Sequence, residues 1–463
     1  MGTRTPRDNR AGDAARLRRQ LAWTPNDRVA WHNLAAAEGD LGRALEAEAA
    51  ARRAIELGIS APETYLVLAR ALLAQRRLDD AQAEFEVVLR QQPVYADAHR
   101  DYAQLVWMRT GRVDLALRRL DMALASAPDE PGLHLVRSIV LEFAGHEADA
   151  LGAAQRGLTS APNDAPLLRQ AARLHARFGQ TAAALDLVRE AGRAEGDPPT
   201  EIALCEVLLA AGDVDAADPL LARLRSSRPD DQHLIALQAT AWRLRGDPRY
   251  LELHDYESLV TAQLLEPPPG WKNLDSFLTE VAAELEGLHR FVAHPLQQSI
   301  RGGAQLPLQA HDMARPLIGA LFTSIEAAVH RHLGRIGVGS DPMRSRNLGR
   351  GVFAGAWSVR LSSGGSHADH LHPRGWLSSA CYIALPPTIG SGASSDAVGS
   401  PDRAGWLRFG QPGIPTDPKL DADYFVKPEV GLLALFPSYM WHGVESFESD
   451  RPRLTVAFDV VPD

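Results

Sequence analysis

Three histidines and a carboxylate crowd the segment His367-Ala-Asp-His-Leu-His-Pro373, and a further histidine, His442, follows Trp441 downstream. Imidazole nitrogens and carboxylate oxygens are donors for divalent first-row metals. On a β-strand, residues two apart point to one face, so alternate residues of this segment can offer two donors side by side. Two such donors and a distal histidine make a three-ligand face with positions left open. That arrangement suits non-haem Fe(II) oxygenase chemistry. His442 is the clearest candidate ligand, because it follows a Phe436-Pro-Ser turn and begins a strand pattern.

The other two ligands can come from either of two registers. His370 and His372 share one face, and His367 and Asp369 share the opposite one. A regular strand presents only one of these sets to a given side. The first choice makes a three-histidine face, taken here as His370, His372 and His442. The second makes a His-x-Asp…His face, and a local bulge would mix the sets. Arg453 is a candidate carboxylate clamp, because its planar guanidinium binds bidentately where a lysine cannot. Thr455 lies two residues on and shares its face. Tyr382 is a candidate for a second hydrogen bond to the same carboxylate. Trp357, Trp376 and Trp441 are candidate pocket walls, and Cys381 is expected on the face opposite Tyr382. The chain has no Walker-A pattern, no dinucleotide fingerprint and no Gly-x-Ser-x-Gly elbow.

Elements must position these residues, and 463 residues predict two or three domains. Apolar content of 45% and charge of 23% are those of a globular protein. The net charge of −9 argues against general nucleic-acid or anionic-membrane binding. Cys205 and Cys381 are the sole cysteines, which excludes a disulfide framework and fits a reducing cytoplasm. No apolar run is long enough for a transmembrane helix. The N-terminal residues lack the apolar core of a secretory signal.

Gly111, Gly145, Gly179 and Gly212 recur about every 34 residues, the period of the tetratricopeptide repeat. Ala116, Ala150, Ala184 and Ala217 keep the same offset, and Pro93, Pro128 and Pro162 punctuate the unit ends. Within 60–93, Tyr65, Leu68 and Ala69 share one helix face, and Ala81, Phe85 and Val88 share the next. Residues 12–253 are therefore expected to form an all-α solenoid of the tetratricopeptide type, whose concave face docks a protein or peptide. A Pro-Pro-Pro-Gly run at 267–270 breaks the helical pattern, which sets 254–272 as a linker and 273–463 as a second domain. There, 273–289 and 316–336 read as amphipathic helices. Short strands follow at 356–362, 366–372, 379–385, 406–410, 424–427, 432–436, 442–445 and 454–461, a jelly-roll pattern with helices outside one sheet. The Gly/Ser-rich stretch 390–401 reads as a surface insertion.

From about Pro267 onward the chain resembles a bacterial family of 2-oxoglutarate/Fe(II) oxygenases often fused to N-terminal tetratricopeptide repeats. The motifs that carry the resemblance are His294-Pro-Leu-Gln-Gln-Ser-Ile-Arg-Gly-Gly303, His-x-His-Pro-x-Gly-Trp-Leu-Ser at 370–378, Leu407-Arg-Phe-Gly410, Phe-Pro-Ser…His at 436–442 and Arg-Leu-Thr…Phe-Asp at 453–459. The resemblance implies a double-stranded β-helix, Fe(II) as metal, 2-oxoglutarate as co-substrate, and Arg453 as the anchor of its distal carboxylate. The expected function is an Fe(II)/2-oxoglutarate-dependent dioxygenase, a hydroxylase, with the repeats presenting a protein or peptide. Two readings compete: a non-catalytic scaffold with a degenerate jelly roll, and a cupin-like three-histidine metal enzyme that does not use 2-oxoglutarate.

Overall fold

The structure is a computed structural model and describes residues 6–389 and 403–463. The stretch expected as a surface insertion, 390–401, lies outside the described residues. The chain forms two compact units, Met1–Trp107 with Arg112–Ala161, and Met108–Gly111 with Pro162–Asp463.

The first unit is a run of helices joined by short turns: α1 (Pro6–Trp23), α2 (Arg28–Asp40), α3 (Ala44–Glu56), α4 (Pro62–Ala74), α5 (Leu78–Gln91), α6 (Ala96–Thr110), α7 (Val113–Ser126), α8 (Pro131–Phe143) and α9 (Glu147–Ser160). The sequence period has a backbone cause. Gly145 closes the turn between α8 and α9 at φ 87°, a left-handed conformation that costs glycine nothing. Its counterparts Gly111, Gly179 and Gly212 take the same sign of φ. Ala116 and Ala150 are fully buried where paired helices meet, so the backbones approach closely. Leu68, Ala69, Ala81, Phe85 and Val88 are buried on the faces the periodicity assigned to them, and Tyr65 is half-buried.

The second unit begins with its own helices, α10 (Ala165–Arg177), α11 (Thr181–Ala194), α12 (Pro198–Ala210), α13 (Val214–Ser227), α14 (Gln232–Arg245) and two short ones, α15 (Arg249–Leu253) and α16 (Tyr256–Leu259). Aspartates start five of these helices, at Asp164, Asp197, Asp213, Asp231 and Asp255. Asp164, Asp197 and Asp231 accept from the backbone N–H of Leu167, Thr200 and Leu234, which satisfies donors that the helix leaves free. Helix α14 is buried almost all round, from Leu234 to Trp242. One side joins Cys205, Leu208 and Leu221 of the repeats. The other contributes Ile235, Ala239 and Trp242 to the core of the sheet. A helix apolar on every side needs partners on every side.

The expected linker, 254–272, contains α16 and a strand, β1 (Thr261–Leu264). The remaining elements are α17 (Leu274–Leu288), β2 (Ile300–Pro307), α18 (Ala310–Met313), α19 (Pro316–Ile336), β3 (Gly351–His370), β4 (Leu377–Ala384), β5 (Leu407–Phe409), β6 (Tyr424–Val426), β7 (Leu432–Pro437), β8 (His442–Val444) and β9 (Arg453–Pro462). The strands form one barrel-like antiparallel sheet in the order β1-β7-β4-β9-β3-β8-β5-β6, with β2 on β3. Phe277, Val281 and Leu285 of α17 and Ile318, Leu321, Ile325 and Val329 of α19 pack on its core. Strand β1, only four residues long, and strand β2, interrupted by Gly302 and Gly303, escape the sequence reading. The segments expected as two strands, 356–362 and 366–372, are largely one strand, β3. Its glycines, Gly364 and Gly365, sit where the β2 register jumps between Arg301 and Gly303, not in a turn.

Candidate metal centre

Pairing of β3 with β8 sets His370 directly opposite His442. His372 lies just past the end of β3, two residues on. The three imidazoles converge, with ring centroids 4.2 Å apart for His370 and His442, 5.2 Å for His370 and His372, and 5.1 Å for His372 and His442. Each can point one nitrogen so that all three lie within 4.8 Å of one another, a grouping able to hold a metal ion. Phe436 abuts the His442 ring at 4.6 Å and limits its rotation.

In each ring Nδ1 is committed elsewhere. His370 Nδ1 meets the Ala368 carbonyl at 2.9 Å, His442 Nδ1 meets the Met440 carbonyl at 2.9 Å, and His372 Nδ1 meets Asp459 Oδ1 at 2.5 Å. All three partners accept, so the proton belongs on Nδ1 and the Nε2 lone pair is left free. Burial is the main cause that pushes His370 down to about 3, with His372 beside it adding to the effect. Burial holds His442 well below the usual imidazole range too, followed by the neighbouring His370 and His372. Neutral imidazoles are the form that ligates metal. The Nε2 atoms of His370 and His372 lie 3.3 Å apart, close enough for both to face one small cation.

The other register is split by a bulge. The β3–β8 register shifts between His367 and His370, which turns His367 to the His370 side, its ring stacked at 5.7 Å. His367 Nδ1 meets Ser299 Oγ at 3.1 Å. Asp369 turns away: its two oxygens accept from Arg408 Nε and Nη2, each at 2.8 Å. Arg408 also pairs with Glu445 at 3.0 Å. The structure thus brings His370, His372 and His442 together and leaves Asp369 outside the group.

The β3–β9 pairing sets Arg453 opposite Leu361 and Thr455 opposite Val359, and β4 sets Tyr382 beside Thr455. Arg453 and Thr455 line the same cavity as the histidines, of about 560 Å³, with Ser299, Gln305, Trp357 and Arg374. Arg453 is only 1% exposed, and its Nε has no hydrogen-bond partner. Burial pulls its guanidinium down, offset in part by the nearby Tyr382 phenol; among the described residues no carboxylate contributes. The Tyr382 ring lies 5.0 Å from the guanidinium carbon, and its buried phenol bears directly on the Arg453 charge. A buried guanidinium without an acid is costly, and a dicarboxylate in this cavity would answer it. The donor set and this cation together fit a divalent metal with an anionic co-substrate.

Of the expected walls, only Trp357 lines the cavity, 5.5 Å from the His372 ring. Trp376 is core and donates to the Met343 carbonyl at 3.0 Å. Trp441 belongs to the core of the last repeat. Cys381 is buried and its thiol pushed up to about 12 by burial. Sequence reasoning gave no role to Asp459, which also accepts from Ser378 Oγ at 2.8 Å, nor to Ser299, Gln305 and Arg408. The Phe-Asp ending of the last strand was the available signal for Asp459.

Residues 355–459 match the family described as "Putative 2OG-Fe(II) oxygenase", and residues 72–140 and 177–241 match the tetratricopeptide repeat. No curated protein matches the chain. Among solved structures, the chain is similar to pilF of Pseudomonas aeruginosa, at 18% identity over 46% of this chain and 96% of that one, TM-score 0.34. It is also similar to a tetratricopeptide-repeat protein of Thermus thermophilus, at 26% identity over 39% and 98%, TM-score 0.32. A third is the type IV pilus biogenesis factor PilW, at 20% identity over 45% and 97%, TM-score 0.36. TM-scores this low carry no argument, and the repeat assignment rests on the family match and the helix geometry. The chain joins tetratricopeptide repeats to a C-terminal domain matched by that oxygenase family.

Proposed function

We propose that this protein is an Fe(II)- and 2-oxoglutarate-dependent dioxygenase, acting as a hydroxylase, with 273–463 as its double-stranded β-helix domain. His370, His372 and His442 hold the metal through Nε2. Arg453 clamps the distal carboxylate of 2-oxoglutarate, with Thr455 and Tyr382 adding hydrogen bonds. Bound Fe(II) supplies activation of O2 coupled to oxidative decarboxylation of 2-oxoglutarate to succinate.

The chain's own groups do the positioning. Asp459 keeps the proton on His372 Nδ1 and fixes the ring, as carboxylates behind metal-binding histidines do. Trp357, Val359 and Phe436 wall the cavity with apolar surface, which limits water around the reacting groups. Gln305, Ser299 and His367 offer polar contacts to a substrate. The repeats, 12–253, dock a protein or peptide substrate or partner on their concave face.

The observation that carries this reading is the buried Arg453, without an acid partner among the described residues, in one cavity with three converging imidazoles. The all-histidine face favours a second reading, a three-histidine metal enzyme without 2-oxoglutarate, but that reading leaves Arg453 without a counter-ion. The test is calorimetric titration of 2-oxoglutarate into metal-loaded protein, with assay of succinate under O2. Saturable binding and O2-dependent succinate formation are expected. Tight metal binding without 2-oxoglutarate binding selects the three-histidine reading.

A further inference from the structure

Both segments that carry the converging histidines run into the core of the last repeat. Leu371, between His370 and His372, packs on the apolar cluster of Leu208, Leu209, Leu221 and Leu237. Trp441, next to His442, is 5% exposed and belongs to that cluster. Its indole Nε1 donates to Thr240 Oγ1 of α14 at 3.1 Å. The Thr240 hydroxyl in turn donates to the Ala236 carbonyl at 2.8 Å, so both the donor and the acceptor capacity of the hydroxyl are used. His233, also on α14, meets the Trp441 ring edge-on at 6.2 Å and is held by Glu206 of α12 at 3.0 Å.

The loop after β5 closes the same seam. A Cβ at Gly413 would come 2.2 Å from the Asp369 carbonyl oxygen and 3.0 Å from the Trp441 ring. The backbone there is pressed between the end of β3 and the indole. Asp417 N donates to the Leu209 carbonyl of α12 at 3.3 Å.

We infer that α12 and α14 are part of the metal centre, with Trp441 and Thr240 as positioning residues for His442. Trp441 directly precedes β8, so an indole locked into the repeat by its bond to Thr240 fixes the backbone from which His442 starts. Leu371, packed on the same cluster, anchors the backbone between His370 and His372. Metal affinity depends on ligands held close to their bound geometry, and here part of that hold comes from the repeat array. The inference rests on the reading of His370, His372 and His442 as metal ligands.

The test is Co(II) titration of the full chain, followed by calorimetry and by the visible Co(II) spectrum, so that no turnover is needed. Thr240→Val is isosteric and strands the Trp441 N–H. It should weaken Co(II) binding about tenfold, the low end for partners that orient ligands, and alter the spectrum. Thr240→Ser keeps the hydroxyl and should restore both. Ser138→Ala removes a comparable buried bond in α8, to the Ala150 carbonyl at 2.8 Å; it should lower Tm and leave Co(II) affinity unchanged. The inference is overturned if Thr240→Val lowers Tm alone, or if Ser138→Ala weakens Co(II) equally. Wild-type protein that binds no Co(II), or His442→Ala that binds it as well as wild type, sinks the ligand reading itself.

Discussion

Arg453→Met should move stability and co-substrate affinity in opposite directions. The guanidinium is 1% exposed, lines the cavity, and has no carboxylate partner among the described residues. A buried charge left unpaired costs on the order of 3–5 kcal/mol, of which the Tyr382 phenol relieves part. Methionine keeps the apolar stem and removes the charge. The protein without 2-oxoglutarate should therefore gain about 1–3 kcal/mol, and Tm should rise by about 2–4 °C for each kcal/mol in a unit of a few hundred residues. Co-substrate binding should fall. Loss of one charged hydrogen bond costs about 1.5–3 kcal/mol, which is roughly 10- to 150-fold, and a bidentate clamp loses two. The assay pairs thermal unfolding by circular dichroism with titration of 2-oxoglutarate into Co(II)-loaded protein, where turnover does not compete. A variant that melts lower than wild type while binding 2-oxoglutarate unchanged would make Arg453 a structural residue and refute the clamp.

His442→Ala should abolish Fe(II) or Co(II) binding, while Asp369→Asn should keep the metal and lose about 1–3 kcal/mol of stability through its buried pair with Arg408; metal analysis with melting curves separates the two. Asp459→Asn should weaken metal binding by about 10-fold or more, because the charge behind His372 is gone; unchanged affinity by calorimetry would remove Asp459 from the site. Gly443→Ala places a Cβ 2.5 Å from Asp369 Oδ1 and 3.0 Å from the His367 carbonyl oxygen, and should cost about 1–3 kcal/mol in thermal unfolding.

Much of the helical half was legible because its signals are local. Gly145 closes its turn with a positive φ, Ala150 sits at the crossing, and both recur with the repeat. Helices α17 and α19 fall where amphipathic spacing set them. The sheet was less legible. Gly303 lies in β2, where a Cβ would meet the Arg360 carbonyl oxygen at 2.5 Å. The glycine is there for close strand approach, yet in sequence it reads as a turn. β1 has too few residues to show a pattern, and its partner β7 is distant in the chain.

At the site, the sequence alone determined the inventory: the histidine-rich segment, the distal His442, and the Arg453-Leu-Thr455 strand with its carboxylate-binding chemistry. Which of these residues meet was decided by tertiary structure. A period-2 strand leaves two registers open, and pairing with β8 and the bulge between His367 and His370 choose between them. Arg408, brought in by β5, takes Asp369 away from the imidazoles. Asp459 reaches His372 from the far end of β9, and Trp441 finds Thr240 across two elements remote in sequence. Local spacing specifies which donors a segment carries. Only the pairing of distant strands, and the helix packed behind them, specifies the point in space at which those donors converge.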